Sequence, residues 1–117
     1  MTHLAMPLPM DAIRTFCDKW KIRELAVFGS ILRDDFGRRS DVDFLYVLEP
    51  GVRWGFDIVR MEEELASIVG RRVDLVSRKA IEQSDNWMRR ENILSSAEVI
   101  HVAVSTRSPQ DQRFTAT

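Results

Sequence analysis

Phe28-Gly29-Ser30, ten further residues, then Asp41-Val42-Asp43: the reading of this stretch decides the fold. Leu25-Ala26-Val27-Phe28 is a short apolar run ended by Gly29, the pattern of a buried strand. Ile31-Leu32-Arg33, directly after Gly29-Ser30, predicts the opening turn of a helix. Phe44-Leu45-Tyr46-Val47-Leu48 is apolar on both alternating faces, as a central strand covered from both sides would be. Residues two apart in a strand share a face and lie about 7 Å apart along it. Asp41 and Asp43 are therefore expected side by side, with Val42 and Phe44 turned into the core.

Outward from this stretch, helical and strand patterns alternate. Met10, Ile13, Phe16, Cys17 and Trp20 recur at helical spacing after Pro9. Between Phe56 and Val69 a stripe of Ile58, Met61, Leu65 and Ile68 faces inward, and Gly70 stands where a helix C-cap belongs. Val73-Asp74-Leu75-Val76 reads as a third strand, residues 86–97 as a last helix, and residues 99–102 as a short extended piece. Strands separated by helices predict an α/β domain with a small sheet, though the pattern leaves strand order open. The body spans residues 1–103. Residues 104–117 are polar, with Phe114 their one large apolar side chain, and read as a disordered tail.

A length of 117 residues suits one domain, and 44% hydrophobic with 30% charged residues suits a packed core under a charged surface. A net charge of −1 argues against unspecific nucleic-acid binding. No run approaches the roughly 20 apolar residues of a membrane helix, and the N-terminus does not resemble a secretory signal. The single cysteine, Cys17, excludes an internal disulfide and reads as core. A cytoplasmic chain is expected.

The acids carry the chemistry. Two carboxylates held beside an apolar strand repel, and one takes up a proton unless a cation is supplied. Oxygen-only ligands suit Mg²⁺ or Mn²⁺. Asp74 is a third acid between apolar neighbours. Were its strand adjacent, three carboxylates would converge, the usual way to hold a metal pair for phosphoryl transfer. Gly29 permits close backbone approach, Ser30 adds a hydroxyl, and a helix N-terminus after them would offer N–H groups to phosphate.

These motifs resemble the minimal nucleotidyltransferases of the DNA polymerase beta superfamily, small domains paired with HEPN toxins in toxin–antitoxin modules. That pattern is a hydrophobic residue with Gly-Ser, ten residues, Asp-x-Asp, and later hydrophobic-Asp-hydrophobic. It is met here by Phe28-Gly29-Ser30, Asp41-Val42-Asp43 and Val73-Asp74-Leu75. Ser40 before the acid pair, Gly70-Arg71-Arg72 before Val73, and Arg90 to Ala97 as a closing helix extend the likeness over residues 10–103. Asp34-Asp35, where the family often has Gly-Glu, and the basic Gly37-Arg38-Arg39 depart from it.

The resemblance implies a palm-like mixed sheet flanked by helices. It implies Asp41, Asp43 and Asp74 as catalytic and metal-binding residues, with Gly29, Ser30 and, three residues on, Arg33 binding nucleotide. The expected cofactor is Mg²⁺ or Mn²⁺, the expected substrate ATP, and the expected partner a HEPN-type toxin that receives AMP on a hydroxyl, a tyrosine by resemblance. The alternative is an antitoxin that neutralises its partner by binding alone. Among the aromatics, Trp20 fits its helix stripe as core and Trp54 is the one to watch as a stacking platform. His3 and His101 lie in no hydrolytic spacing.

Overall fold

The computed structural model describes residues 4–33, 36–53 and 55–103. Its elements run α1 (Met10–Trp20), β1 (Ile22–Phe28), a 3-10 turn (Gly29–Leu32), β2 (Val42–Leu48), α2 (Asp57–Val69), β3 (Val73–Ser77), α3 (Arg78–Glu82), α4 (Trp87–Ser96) and β4 (Glu98–Val102). The four strands form one sheet in the order β3-β2-β1-β4. β1 pairs antiparallel with both β2 and β4, whereas β2 and β3 run parallel. Parallel neighbours need a long crossover, and α2 supplies it. The sheet is mixed and flanked by helices, as expected.

Each face of the sheet has its own core. Leu25, Val27, Val42, Phe44 and Leu75 pack with Ile13, Phe16 and Cys17 of α1 and with Met61, Leu65 and Val69 of α2. Ala26, Phe28 and Leu45 meet Ile81 of α3 and Ile93 of α4 on the opposite side. This double covering is why β2 is apolar in both registers. Burial, with adjacent Asp18 adding to it, pushes the Cys17 thiol up to about 12, as suits a core residue.

The helix ends follow local chemistry. Gly70 closes α2 at φ +78, its N–H donating to Ala66 O at 2.8 Å. Ser77 Oγ accepts from Ala80 N at the start of α3, and Asn86 Oδ1 accepts from Arg89 N at the start of α4. α1 ends differently, on Lys21 in the left-handed region at φ 59. Lys21 is held there because its N–H reaches Asp18 O while its carbonyl accepts from Glu49 N at 2.9 Å, tying the helix to the end of β2.

Several expectations shift. β1 begins at Ile22 rather than Leu25, and β2 at Val42 rather than Phe44, because pairing extends both strands beyond their apolar centres. α3 is too short to show a stripe in the sequence. No α-helix opens at Ile31: the 3-10 turn closes with Arg33 N donating to Ser30 O at 2.9 Å, and Arg33 is already extended at φ −121, ψ 162. Ile31 turns inward and is fully buried, but Arg33, Gly37, Arg38 and Arg39 offer no apolar stripe to carry a helix onward. His3, Trp54 and the expected tail 104–117 lie outside the described residues. Among the described residues no helix is long and apolar enough to cross a membrane.

Lys21 offers a direct test of the α1 cap. A left-handed residue with a Cβ costs about 1–2 kcal/mol, partly offset in a glycine by its freer unfolded chain. Lys21→Gly is expected to raise stability by about 0.5–1 kcal/mol in urea unfolding, since the cap hydrogen bonds come from the backbone and survive.

Candidate active site

Strand register brings the sequence motifs together. In the antiparallel pairing Phe28 lies opposite Asp43, so Gly29 turns just where the second acid emerges. In the parallel pairing Asp43 lies opposite Asp74. Adjacent strands are about 4.8 Å apart, so these two carboxylates start as immediate neighbours on one face. Asp41 stands one residue before β2, two before Asp43, and Val42 and Phe44 are fully buried between and beyond them.

Charge follows from this placement. The Asp43 carboxyl is raised above its ordinary 3.8 first by burial, then by the negative charges of Asp74 and Asp41, while the positive Arg33 opposes the shift. Arg33, itself exposed, thus lies within electrostatic reach of the acids. Asp41 Oδ1 is shielded from solvent, and Arg72 Nε sits 3.1 Å away but out of line, so this oxygen has no hydrogen-bond donor among the described residues. Arg72 is four-fifths exposed, so the pair is weakly held in water.

Gly29 has φ +77, and a Cβ built on it would collide with the Asp43 carboxylate. The left-handed turn therefore favours glycine, and any Cβ there would push the Asp43 carboxylate aside. Ser30 Oγ donates to Asp41 O over 3.4 Å, linking the glycine turn to the strand that follows the loop. Arg38, Arg39, Ser40, Asp41, Gly70, Arg71 and Arg72 line an open groove of about 370 Å³ beside the acids.

Hard oxygen donors, one of them raised in pKa by burial and then by like charge, fit a divalent cation chemically. Among the described residues no group of three or more acids, histidines or cysteines is placed to hold a metal ion. The structure brings Asp43, Asp74, Asp41 and Gly29-Ser30 to one edge of the sheet, and with them Arg33. It does not supply the expected helix N-terminus, because Gly29–Leu32 is a single 3-10 turn. The sequence alone gave no role to Arg71, whose guanidinium binds the loop before Asp41; nothing distinguishes it there from Arg72.

A family model described as a nucleotidyltransferase domain matches residues 10–100. The chain belongs to that family. A solved structure of a candidate minimal nucleotidyltransferase is 31% identical, superposes with a TM-score of 0.59, and covers 75% of this chain and 85% of its own. The curated protein adenylyltransferase MntA of Thermococcus cleftensis is 35% identical over 66 residues, 55% of this domain and 64% of its own length. The matched part is thus under two thirds of that relative. A tri-AMPylated Shewanella oneidensis HEPN toxin in complex with MNT antitoxin provides a likeness of fold, at TM-score 0.55 and 16% identity, covering 80% of this chain and 69% of that one.

Two measurements check the site's electrostatics and its glycine. Because the folded-state value of Asp43 lies above the unfolded one, its ionisation works against folding, and stability falls as pH rises through that interval. Asp43→Asn is expected to melt at a higher temperature than the natural protein at pH 7 without metal, with the gap closing below about pH 3.8. Gly29→Ala is expected to cost about 1–2 kcal/mol from its left-handed backbone. Combining it with Asp43→Ala should recover part of any excess above that, measured as a double-mutant cycle.

Proposed function

We propose that this domain is a metal-dependent nucleotidyltransferase serving as an antitoxin, and that it transfers AMP from ATP to a tyrosine hydroxyl of a HEPN-type toxin. The observation that carries the reading is the register: Asp43 beside Asp74 across β2 and β3, with Gly29 closing over Asp43 from β1. Support for the protein substrate comes from the relative named a protein adenylyltransferase, and for the partner from the fold shared with an MNT antitoxin bound to an AMPylated HEPN toxin.

In this reading Asp41, Asp43 and Asp74 hold Mg²⁺ or Mn²⁺, which when bound neutralises triphosphate charge and lowers the pKa of an incoming hydroxyl. Gly29 and Ser30 present backbone and hydroxyl donors to the triphosphate, and Arg33 adds a positive charge at its edge. Asp74, the exposed acid of the three, faces the acceptor side and orients the tyrosine hydroxyl toward the α-phosphorus. The new bond joins the tyrosine oxygen to that phosphorus. The bond to the β-phosphate oxygen breaks, pyrophosphate leaves, and the hydroxyl proton passes to solvent.

The test pairs this chain with a co-expressed HEPN toxin, ATP and Mg²⁺, followed by intact-mass measurement of both proteins. The natural chain is expected to add the mass of one or more AMP units to the toxin. Asp41→Asn/Asp43→Asn should lower that transfer more than about a hundredfold, since losing even outer-shell support of a metal costs 10–100-fold. Toxin neutralisation should fail with it. A folded double variant that still neutralises fully would favour the binding module instead.

A further inference from the structure

Arg71 grips the loop that delivers Asp41. Its guanidinium donates from one nitrogen to Gly37 O at 2.8 Å and to Ser40 O at 3.0 Å, and it stacks over the Phe36 ring with 4.6 Å from Cζ to the ring centre. The segment it holds is already closed on itself: Ser40 N donates to Gly37 O at 3.1 Å, and Gly37 N donates to Ser40 Oγ at 2.9 Å. On the other side of Asp41, Val42 N donates to Arg72 O at 3.0 Å. The dipeptide Arg71-Arg72 therefore fixes the backbone immediately before and immediately after Asp41.

We propose that Arg71 is a positioning residue for the carboxylate of Asp41, setting its approach to Asp43 and Asp74 by locking Gly37–Ser40; the proposal rests on the metal-dependent reading above. Carbonyl groups in a solvent-facing loop gain little from one ordinary donor, but a single guanidinium nitrogen bonded to both, its plane fixed by stacking on a ring, holds them in set relation. The two arginines divide the work. Arg72 lies against the Asp41 carboxylate as an exposed ion pair that a cation can displace, whereas Arg71 bonds to backbone carbonyls and stacks on a ring among the described residues.

The sign of the effect separates positioning from plain electrostatics. Removing a positive charge near a cation site tightens cation binding by Coulomb's law. If Arg71 acts by geometry, Arg71→Ala must instead weaken it.

The experiment is a titration of the natural chain, Arg71→Ala, Arg71→Lys and Arg72→Ala with Mn²⁺ alone, reading free Mn²⁺ by electron paramagnetic resonance. Omitting nucleotide excludes any phosphate contact. Limited trypsin digestion without metal reports cleavage at Arg38 and Arg39, inside the locked loop. The expected result is about tenfold weaker Mn²⁺ binding in Arg71→Ala, an intermediate value in Arg71→Lys, equal or tighter binding in Arg72→Ala, and faster cleavage in Arg71→Ala. Should Arg71→Ala not fold, Arg71→Lys carries the test, since it keeps the charge and loses the planar group stacked on Phe36. Natural-like or tighter Mn²⁺ binding in a folded Arg71→Ala, or in Arg71→Lys standing in for it, overturns the proposal. Failure of the natural chain itself to bind Mn²⁺ overturns the metal-dependent reading, and the positioning role with it.

Discussion

The parallel pairing of β2 with β3 forces Asp43 and Asp74 into lateral contact at the edge of an apolar sheet, and the rest of the site is organised around that repulsion. Folding brings the two charges together because the residues on either side of each are apolar. Val42 and Phe44 are sealed beneath α1 and α2, and Leu75 is nearly so. The strands cannot slip by one residue without exposing those side chains and burying the acids. Hydrophobic burial thus sustains an electrostatic arrangement that would not persist alone, and Asp43 registers the cost as a raised proton affinity.

Around this pair the remaining parts are placed by short-range constraints. Gly29 lets the turn after β1 pass close to the Asp43 carboxylate, which a Cβ would displace. Ser30 then reaches across to the Asp41 carbonyl, and Arg71 and Arg72 close on Asp41 from the α2–β3 connection. Two connections, both ends of the one between β1 and β2 and the one from α2 to β3, therefore meet at one point. Each rests on a strand of the same sheet, so the site inherits the stiffness of the core. A site on strand ends is held more firmly than one on free loops.

Much of this was legible in the sequence because it depends on period and spacing. The apolar patterns marked β1, β2 and β3 and left β4 as a short extended piece, the stripes marked α1 and α2, and Gly70 marked a helix end. The two-residue spacing of Asp41 and Asp43 predicted neighbouring carboxylates without any knowledge of topology, though Asp41 stands one residue before β2. What the pattern could not reveal depends on long-range geometry. The neighbour of β2 is set by how α2 crosses the sheet, and so the approach of Asp74 stayed conditional. Ile31-Leu32-Arg33 looked helical locally, yet burial of Ile31 and the absence of later apolar residues ended it after one 3-10 turn. Arg71 and Arg72 are chemically identical in the sequence, and only the position of Phe36 and the loop carbonyls assigns them different tasks.

The site is best judged where its three carboxylates and the glycine turn meet. Anomalous diffraction at the manganese edge, from crystals grown with Mn²⁺ and a non-hydrolysable ATP analogue, measures this directly. The account predicts manganese peaks in contact with Asp41, Asp43 and Asp74, and the triphosphate running along Gly29-Ser30. Manganese bound away from these carboxylates, or a nucleotide seated elsewhere on the sheet, would contradict it.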